Sequence, residues 1–254
     1  MKLRLISLSV LALALSVFLH AENYSSRETF TRTGAFSPTG KITLDNTNGE
    51  VVVRTWDRNE ILIEGEKSAK TDEELKLIEL NMDLTESKAA IKVHLPKRGG
   101  FFSGGNIRAS VSFKITLPAT AVIEKIDVVN ASVDIKGIRG SVNAESVNGR
   151  IRAHDLGGNV RLGTVNGEID AAVSTVAAGQ KLSFHTVNGS ILVVLPEDTG
   201  AEFHSSVVNG SIDCDFPVGL RGKISGRNVS GKIGDGRASL EAESVNGSIR
   251  LKKN

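Results

Sequence analysis

The chain has 254 residues, enough to bury a sizeable core in one elongated domain or two small ones. Its 31 basic and 29 acidic residues nearly balance and form no basic cluster, so neither nucleic acid nor an anionic membrane is indicated as the main partner. The single cysteine, Cys214, excludes an internal disulfide, so packing and hydrogen bonds must stabilise the fold.

Residues 1–21 have the pattern of a secretory signal peptide. Lys2 and Arg4 precede an unbroken apolar run that contains no acid and ends in Ala21. We expect cleavage after Ala21 and export to the periplasm, the cell surface or the medium; an uncleaved membrane anchor is the alternative. No later segment approaches 18 apolar residues, so we expect no membrane span once the signal is removed.

Residues 22–120 are predicted to form an irregular β-rich region. Five stretches alternate like strands: KITLDN, EVVVRTW, EILIEGE, AAIKVHL and ASVSFKITL. Thr71 and Glu74 have capping-box spacing, which predicts one short helix in TDEELKLIEL. WDRNE at 56–60 predicts a polar turn, and the glycine-rich stretch at 97–106 predicts a mobile loop. We expect its Phe101 and Phe102 to fold back on the sheet, with an exposed contact as the alternative.

A Val-Asn-Gly motif recurs over residues 121–254. If its asparagine is position zero, valine stands at −1 in every unit, isoleucine or valine stands at +3, and −6 is apolar in all units but the first. Another copy lies upstream, with Asn48 at zero and Thr47 in place of the valine. Agreement in three columns predicts a structural repeat. The zero positions are Asn130, Asn148, Asn166, Asn188, Asn209, Ser230 and Asn246.

Asn-Gly between strand-like runs ordinarily predicts a two-residue hairpin. In a hairpin, however, the valine at −1 would pair with the polar residue at +2, and neither side of the ladder would be apolar. If the chain runs on through Asn-Gly as a strand or gentle bend, −1 and +3 share a side, and we expect both to point into the core. Positions −6 and −4 share a side as well, which requires a corner or bulge near −3 and −2 that Gly163 would suit.

The predicted fold class is therefore all-β. It is a parallel β-solenoid of Val-Asn-Gly repeats over residues 121–254, continuous with the β-rich region of residues 22–120 and its one short helix. Each unit supplies two or three short strands to one coil. Stacking of the coils predicts a structural ladder in which one side-chain amide donates to the next. Its members are Asn130, Asn148, Asn166, Asn188, Asn209 and Asn246.

The signal peptide, the stretch LDNTNGEVVVRTWDRNEILIEGEKSA, the short helix and the SVNG, TVNG and VVNG repeats together resemble a bacterial family of putative adhesins of unknown function. The chain is also similar to the head domains of autotransporter adhesins. The resemblance covers nearly all of the mature chain and implies an exported β-solenoid. It supplies no catalytic residues.

Parallel β-helices also include polysaccharide lyases and glycosidases, so outward carboxylates are candidates for catalysis. At position +4, Asp134 and Asp170 are expected about 10 Å apart, just beyond the span of an inverting carboxylate pair. Arg152 would lie between them and hold both ionised, whereas a general acid must keep its proton. We therefore expect a solvated charge ladder rather than an active site.

The remaining reactive side chains do not converge in the sequence pattern. His154, His185 and His204 occupy different columns of the repeat, which does not favour a metal site. Cys214 is expected to be a partly buried structural thiol, because no histidine shares its unit at a useful spacing.

We therefore predict an exported, non-enzymatic, adhesin-like binding or scaffold protein of the bacterial cell envelope that uses no cofactor and binds an envelope glycan or protein. The alternative is a carbohydrate-active parallel β-helix enzyme, either a polysaccharide lyase or a glycosidase. Such enzymes usually have clustered aromatics in a groove. The only tryptophan and tyrosine here, Trp56 and Tyr24, lie outside the repeat region.

Overall fold

The structure is a computed structural model that describes residues 24–95, 109–220 and 227–254. The predicted signal peptide (1–21) and the glycine-rich stretch (97–106), with Phe101 and Phe102, lie outside these ranges. The predicted all-β class is confirmed. The strands are β1 (Ser26–Ala35), β2 (Lys41–Asn48), β3 (Val51–Trp56), β4 (Glu60–Ala69), β5 (Glu79–Leu84), β6 (Lys88–His94), β7 (Ala109–Pro118), β8 (Val122–Asn130), β9 (Val133–Lys136), β10 (Val142–Asn148), β11 (Ile151–Leu156), β12 (Val160–Asn166), β13 (Ile169–Val173), β14 (Lys181–Asn188), β15 (Ile191–Leu195), β16 (Ala201–Asn209), β17 (Ile212–Cys214), β18 (Val218–Leu220), β19 (Asn228–Ile233), β20 (Ala238–Asn246) and β21 (Ile249–Lys253).

The described strands form two large, mostly parallel sheets. The ten-stranded sheet has the order β1-β4-β7-β3-β9-β11-β13-β15-β21-β17, and the eleven-stranded sheet has the order β18-β19-β16-β20-β14-β12-β10-β8-β2-β6-β5. Antiparallel pairs occur only toward the ends, at β1-β4-β7, β5-β6 and β16-β19-β18. Strands from both sides of residue 120 occur in each sheet.

Each unit with asparagine at position zero contributes one strand to each sheet. We call these two strands a coil. The strand before the motif lies in the eleven-stranded sheet and ends at the asparagine, and the strand after it begins at +3 in the ten-stranded sheet. The two strands are not paired with each other, so the rejection of the hairpin is confirmed. The chain turns at Asn-Gly itself, whereas the corner expected near −3 and −2 is wrong. Gly163 lies within β12, opposite Glu145 and His185 on the neighbouring strands.

Alternation explains which side chains form the core between the sheets. Positions −6 and −4 point inward, as Val160 and Leu162 show, and position +3 points inward from the other sheet, as Ile169 shows. Position −2 is also buried. Where it is serine or threonine, the hydroxyl donates a hydrogen bond to a backbone carbonyl of the neighbouring coil. Thr164 Oγ1 donates to the carbonyl of Gly149 at 3.2 Å, and Thr186 Oγ1 repeats this contact at 3.1 Å with the next coil.

Position +1 is glycine in every unit with asparagine at position zero except that of Asn130, where it is Ala131. A Cβ atom on Gly167 would lie 2.1 Å from the carbonyl oxygen of Gly149. One on Gly189 would lie 1.8 Å from the oxygen of Gly167. No side chain fits at that distance, so the close approach of stacked backbones requires glycine in these units even though its φ is ordinary.

The valine at −1 points out of the molecule, so its predicted place in the core is wrong. Because −6, −4 and −2 face inward, −1 and −3 face solvent. The exposed fraction at −1 lies between 39% and 49% in six strands. The apolar character of this column therefore needs an explanation other than burial in the core.

The order of the coils along the stack departs from their order in the sequence. The last coil, β20 and β21, lies between the coil of β14 and β15 and the coil of β16 and β17. The unit centred on Ser230 does not stack in the frame of the others. It forms β19, which is antiparallel to β16 and places Ser230 opposite His204.

The N-terminal strands and helix are confirmed in outline. Asn48 pairs with Asn130 across β2 and β8, so the upstream copy of the motif joins the stack. Helix α1 (Asp72–Lys76) begins after Thr71, whose Oγ1 accepts a hydrogen bond from the amide of Glu74 at 3.2 Å. The helix is shorter than the predicted stretch, because β5 begins at Glu79. No helix among the described residues has the length and apolarity needed to cross a membrane.

Candidate functional site

A row of exposed valines crosses the outward face of the eleven-stranded sheet. We call it the valine stripe. It spans six adjacent strands, which is about 24 Å at the usual strand spacing of about 4.8 Å. The stripe borders a shallow groove of about 800 Å³. Its members, in spatial order, are Val129, Val147, Val165, Val187, Val245 and Val208.

A second column, two residues before the valines, carries most of the charge of the groove. We call its carboxylates the acidic column: Asp45, Asp127, Glu145 and Glu243. Their strands are in register, so these side chains project beside the valine stripe on the same face. Among the described residues, the charged groups that line the groove are these four carboxylates and one guanidinium, that of Arg161. Apolar contact and negative charge therefore lie side by side.

A notch interrupts the acidic column at Gly163, which has no side chain to fill it. A Cβ atom added there would be 3.6 Å from Cγ of Glu145, an ordinary van der Waals contact. Glu145 and His185 flank the notch on the neighbouring strands, and Val165 lies beside it on the stripe. The notch is therefore open space. Neither the backbone conformation nor the packing requires glycine at residue 163.

Ion pairs and hydrogen bonds organise the flanks of this notch. Arg161 Nε lies 3.7 Å from Glu145 Oε1. His185 Nε2 lies 2.5 Å from Ser183 Oγ, and His185 Nδ1 lies 3.5 Å from Glu243 Oε2. Ser183, His185 and Glu243 contact one another in the order of a hydrolase triad. An active site of that kind also needs hydrogen-bond donors for an oxyanion, such as free backbone N–H groups. The backbone of β14 is paired with β12 and β20 on its two sides.

At the other end of the groove, Asp127 pairs with Lys125 through Oδ2. This hydrogen bond raises the pKa of the Lys125 ammonium. The other oxygen, Oδ1 of Asp127, is buried and has no hydrogen-bond partner among the described residues.

The asparagines of the motif lie along one edge of the same face, where the chain passes between the sheets. Asn166 Nδ2 donates to Asn148 Oδ1 at 2.8 Å and Asn166 Oδ1 accepts from Asn188 Nδ2 at 2.8 Å. Equivalent contacts join all the predicted positions into one directed series that continues to Asn48. In order of donation the series is Asn209, Asn246, Asn188, Asn166, Asn148, Asn130 and Asn48.

The outward face of the ten-stranded sheet carries the charged column considered for catalysis. Arg152 lies between Asp134 and Asp170, 3.7 Å from an oxygen of each. Arg54 pairs with the other oxygen of Asp134 at 2.6 Å, and His154 Nε2 lies 3.1 Å from Asp170 Oδ1. Both carboxylates are thus engaged by cationic or hydrogen-bonding side chains.

The remaining predicted residues are separated by the fold. His154 lies on the ten-stranded sheet, whereas His185 and His204 lie on two strands of the other sheet; His204 Nδ1 is 2.7 Å from Ser230 Oγ. Cys214 is partly buried on β17, and burial raises the pKa of its thiol. Within the described ranges, no group of three acidic, histidine or cysteine side chains could hold a metal ion.

Sequence reasoning missed the valine stripe and the notch. The signal that would have found them is the inward alternation at −6, −4 and −2, because it places −1 and −3 together on the outside. The serine or threonine at −2 obscured this signal, since a polar residue was not expected to face the core.

No protein-family model matches the chain, and no curated protein matches it in sequence. Its fold is similar to the crystal structure of a putative cell adhesion protein from Clostridium sporogenes, with a TM-score of 0.52 and 16% identity over 89% of this chain and 100% of that one. A putative adhesin from Bacteroides fragilis is similar with a TM-score of 0.34 and 13% identity, covering 89% of this chain and 98% of its own. Another from Parabacteroides merdae has a TM-score of 0.35 and 8% identity, covering 89% and 96%.

The first of these similarities shows a shared fold, and the other two are too distant to support an argument. The resemblance that the repeats indicate is confirmed at the level of the fold, which the chain shares with this putative bacterial cell adhesion protein.

Proposed function

We propose that the chain is an exported, non-enzymatic, adhesin-like binding protein of the bacterial cell envelope whose binding surface is the valine stripe with its acidic column. The stacked Val-Asn-Gly coils form a β-solenoid that holds this surface rigid. The shared sheets support one continuous body for residues 22–120 and 121–254. The neighbour named as a cell adhesion protein supports a binding role.

The observation that carries this proposal is the exposure of valine at the same position in six adjacent strands. Threonine has nearly the same shape and a similar preference for strands, and Thr47 occupies this column in β2. Strand formation alone would therefore accept threonine throughout. Contiguous exposed apolar surface on a protein marks an interaction site.

The absence of enzyme chemistry is supported by the contacts of the charged column on the other sheet. Asp134 and Asp170 share Arg152, and each contacts a further side chain. A general acid needs a carboxyl group that stays protonated, whereas neighbouring cations favour the ionised form.

The binding surface is tested with threonine substitutions. The mature protein, residues 22–254, is incubated with purified envelope fractions and its retention is measured. We expect Val147→Thr, Val165→Thr and Val187→Thr together to abolish retention while the melting temperature stays close to that of the wild type. Val194→Thr, on the outward face of the other sheet, is the control and is expected to leave retention intact. Equal retention by the triple variant would refute the assigned surface.

Export is tested separately with the full chain in a bacterial host. Mass spectrometry of the periplasmic or culture fraction is expected to show a new N-terminus at Glu22, as the charged, apolar and small-residue regions of residues 1–21 indicate. An intact Met1 in the membrane pellet would contradict export by cleavage.

A further inference from the structure

From the groove beside the valine stripe we infer that the partner is a basic polypeptide segment in an extended, polyproline-like conformation. In this arrangement, lysine or arginine side chains lie across the valines and reach the acidic column. The inference rests on the proposed function and names the partner class of that same surface.

The charge of the groove selects a cationic partner. The described residues of its lining include four carboxylates, those of Asp45, Asp127, Glu145 and Glu243, and one guanidinium, that of Arg161. Arg161 pairs with Glu145, and Lys125 pairs with Asp127 from outside this lining, which leaves an excess of negative charge. A lysine side chain suits such a surface because its stem is aliphatic and its end is a three-fold donor.

The side chains of the groove favour a polypeptide over a glycan. Sugar rings pack on the flat faces of aromatic side chains. In the stacked strands β2, β8, β10, β12, β14, β20 and β16, positions −1, −3 and −5 carry no phenylalanine, tyrosine or tryptophan. The phenylalanines of two of these strands, Phe184 and Phe203, are buried in the core. Branched aliphatic side chains instead match the aliphatic stems and small apolar residues of a peptide.

The spacing of the strands favours a polyproline-like chain. A polyproline helix repeats every three residues, or about 9.3 Å, and two strand spacings are about 9.6 Å. One residue in three would therefore meet every second strand. Counted from β8, these strands are β8, β12 and β20, where the nearest carboxylates belong to Asp127, Glu145 and Glu243.

The notch at Gly163 provides the middle contact. A basic side chain that enters it lies beside Glu145 and over Val165. Since a Cβ atom at residue 163 would meet only an ordinary contact at 3.6 Å, the backbone there accepts a side chain that points into the notch. Gly163→Leu is therefore a variant that blocks the site while leaving the sheet intact.

The test uses a fluorescent peptide of four Lys-Pro-Val repeats and the mature protein, with binding measured by fluorescence anisotropy at low and high salt. Peptides with glutamine or glutamate in place of lysine are the charge controls. We expect selective binding of the lysine peptide that weakens with salt. Glu145→Gln should weaken it about fivefold, the effect of one exposed charge pair, and Gly163→Leu should abolish it.

Glu168→Gln is the matched control, because it removes the same charge from an exposed, ion-paired position just before β13, outside the lining of the groove. Equal effects of Glu145→Gln and Glu168→Gln would show attraction by overall charge and would overturn the assigned site. If the lysine peptide does not bind selectively but the threonine triple variant still loses envelope retention, the partner class is wrong and the binding surface stands. Binding of a soluble glycan panel instead would also overturn the inference. If the threonine triple variant keeps envelope retention and the groove variants keep peptide binding, both proposals are rejected.

Discussion

The two outward faces of the molecule come from the same repeat but differ in chemistry. On the ten-stranded sheet, neighbouring arginines and aspartates neutralise each other, as in the series Asp134, Arg152 and Asp170. On the eleven-stranded sheet, valine repeats without interruption across six strands and acids dominate the lining of the adjacent groove. Acids are paired on this face too, as Glu145 is with Arg161 and Asp127 is with Lys125, so the faces differ chiefly in the uninterrupted column of exposed valines.

The largest expected effect concerns the core that both faces share. Ile169→Asp places an unpaired charge between the sheets and should cost about 4 kcal/mol or more of unfolding free energy. Its neighbour Glu168 points outward, where it pairs with Arg150. Glu168→Ala should therefore change the unfolding free energy by at most about 0.5 kcal/mol.

Urea denaturation of both variants checks this pair. Similar losses of stability would contradict the burial of residue 169 in the core and the exposure of residue 168.

The next effect separates two glycines that lie four residues apart. Gly167→Ala forces a Cβ atom to 2.1 Å from the carbonyl oxygen of Gly149 and should cost about 3 kcal/mol. Gly163→Ala meets only an ordinary contact within a strand, so it should be neutral or stabilising by up to about 1 kcal/mol. The melting temperatures of the two variants measure the difference, and a tolerated alanine at 167 would disprove the need for close stacking.

A smaller effect is expected at the edge where the two faces meet. Asn166→Ala removes two hydrogen bonds of the asparagine series and should cost about 1 to 2 kcal/mol. Asn209 makes one such bond at the end of the series, so Asn209→Ala should cost about half as much. Chemical denaturation of both variants gives the ratio. A ratio near one would indicate that the amides do not act as a ladder.

The smallest effect is expected on the charge-paired face. Asp134→Asn with Asp170→Asn should change stability by about 0 to 1 kcal/mol per ion pair, because the partners are partly exposed. The wild type and the double variant are incubated with a panel of envelope and plant polysaccharides, with and without calcium. We expect no product from either. A product that disappears in the double variant would establish a carbohydrate-active enzyme instead.

The inward columns could be predicted from the sequence because their periodicity directly reflects burial. Ile169 and Val160 belong to columns that are apolar in nearly every unit, and the structure buries both. Thr164 could not be placed from its own unit, since its hydroxyl is satisfied by a carbonyl of the neighbouring coil. Because −2 is predicted to be a corner, Val165 is predicted to lie in the core, and the exposed valine stripe is missed.

The spatial order of the last coils could not be predicted for a different reason. The units of Asn188, Asn209 and Asn246 share the same frame, so any of them can stack on either of the others with the same hydrogen bonds. The unit of Ser230 also satisfies the columns with Val229 and Ile233, yet it forms an antiparallel strand between β16 and β18. Local patterns define each coil, whereas the order of the coils depends on the segments that connect them.

The position of the final coil determines when the stack can be completed. A ribosome releases β16 and β17 before β20 and β21, although β16 and β17 rest on the later pair. During synthesis β16 can pair with β19, but the parallel partners of β16 and β17 emerge only with β20 and β21. This end of the molecule therefore cannot add its coils in the order of the sequence, as the middle can.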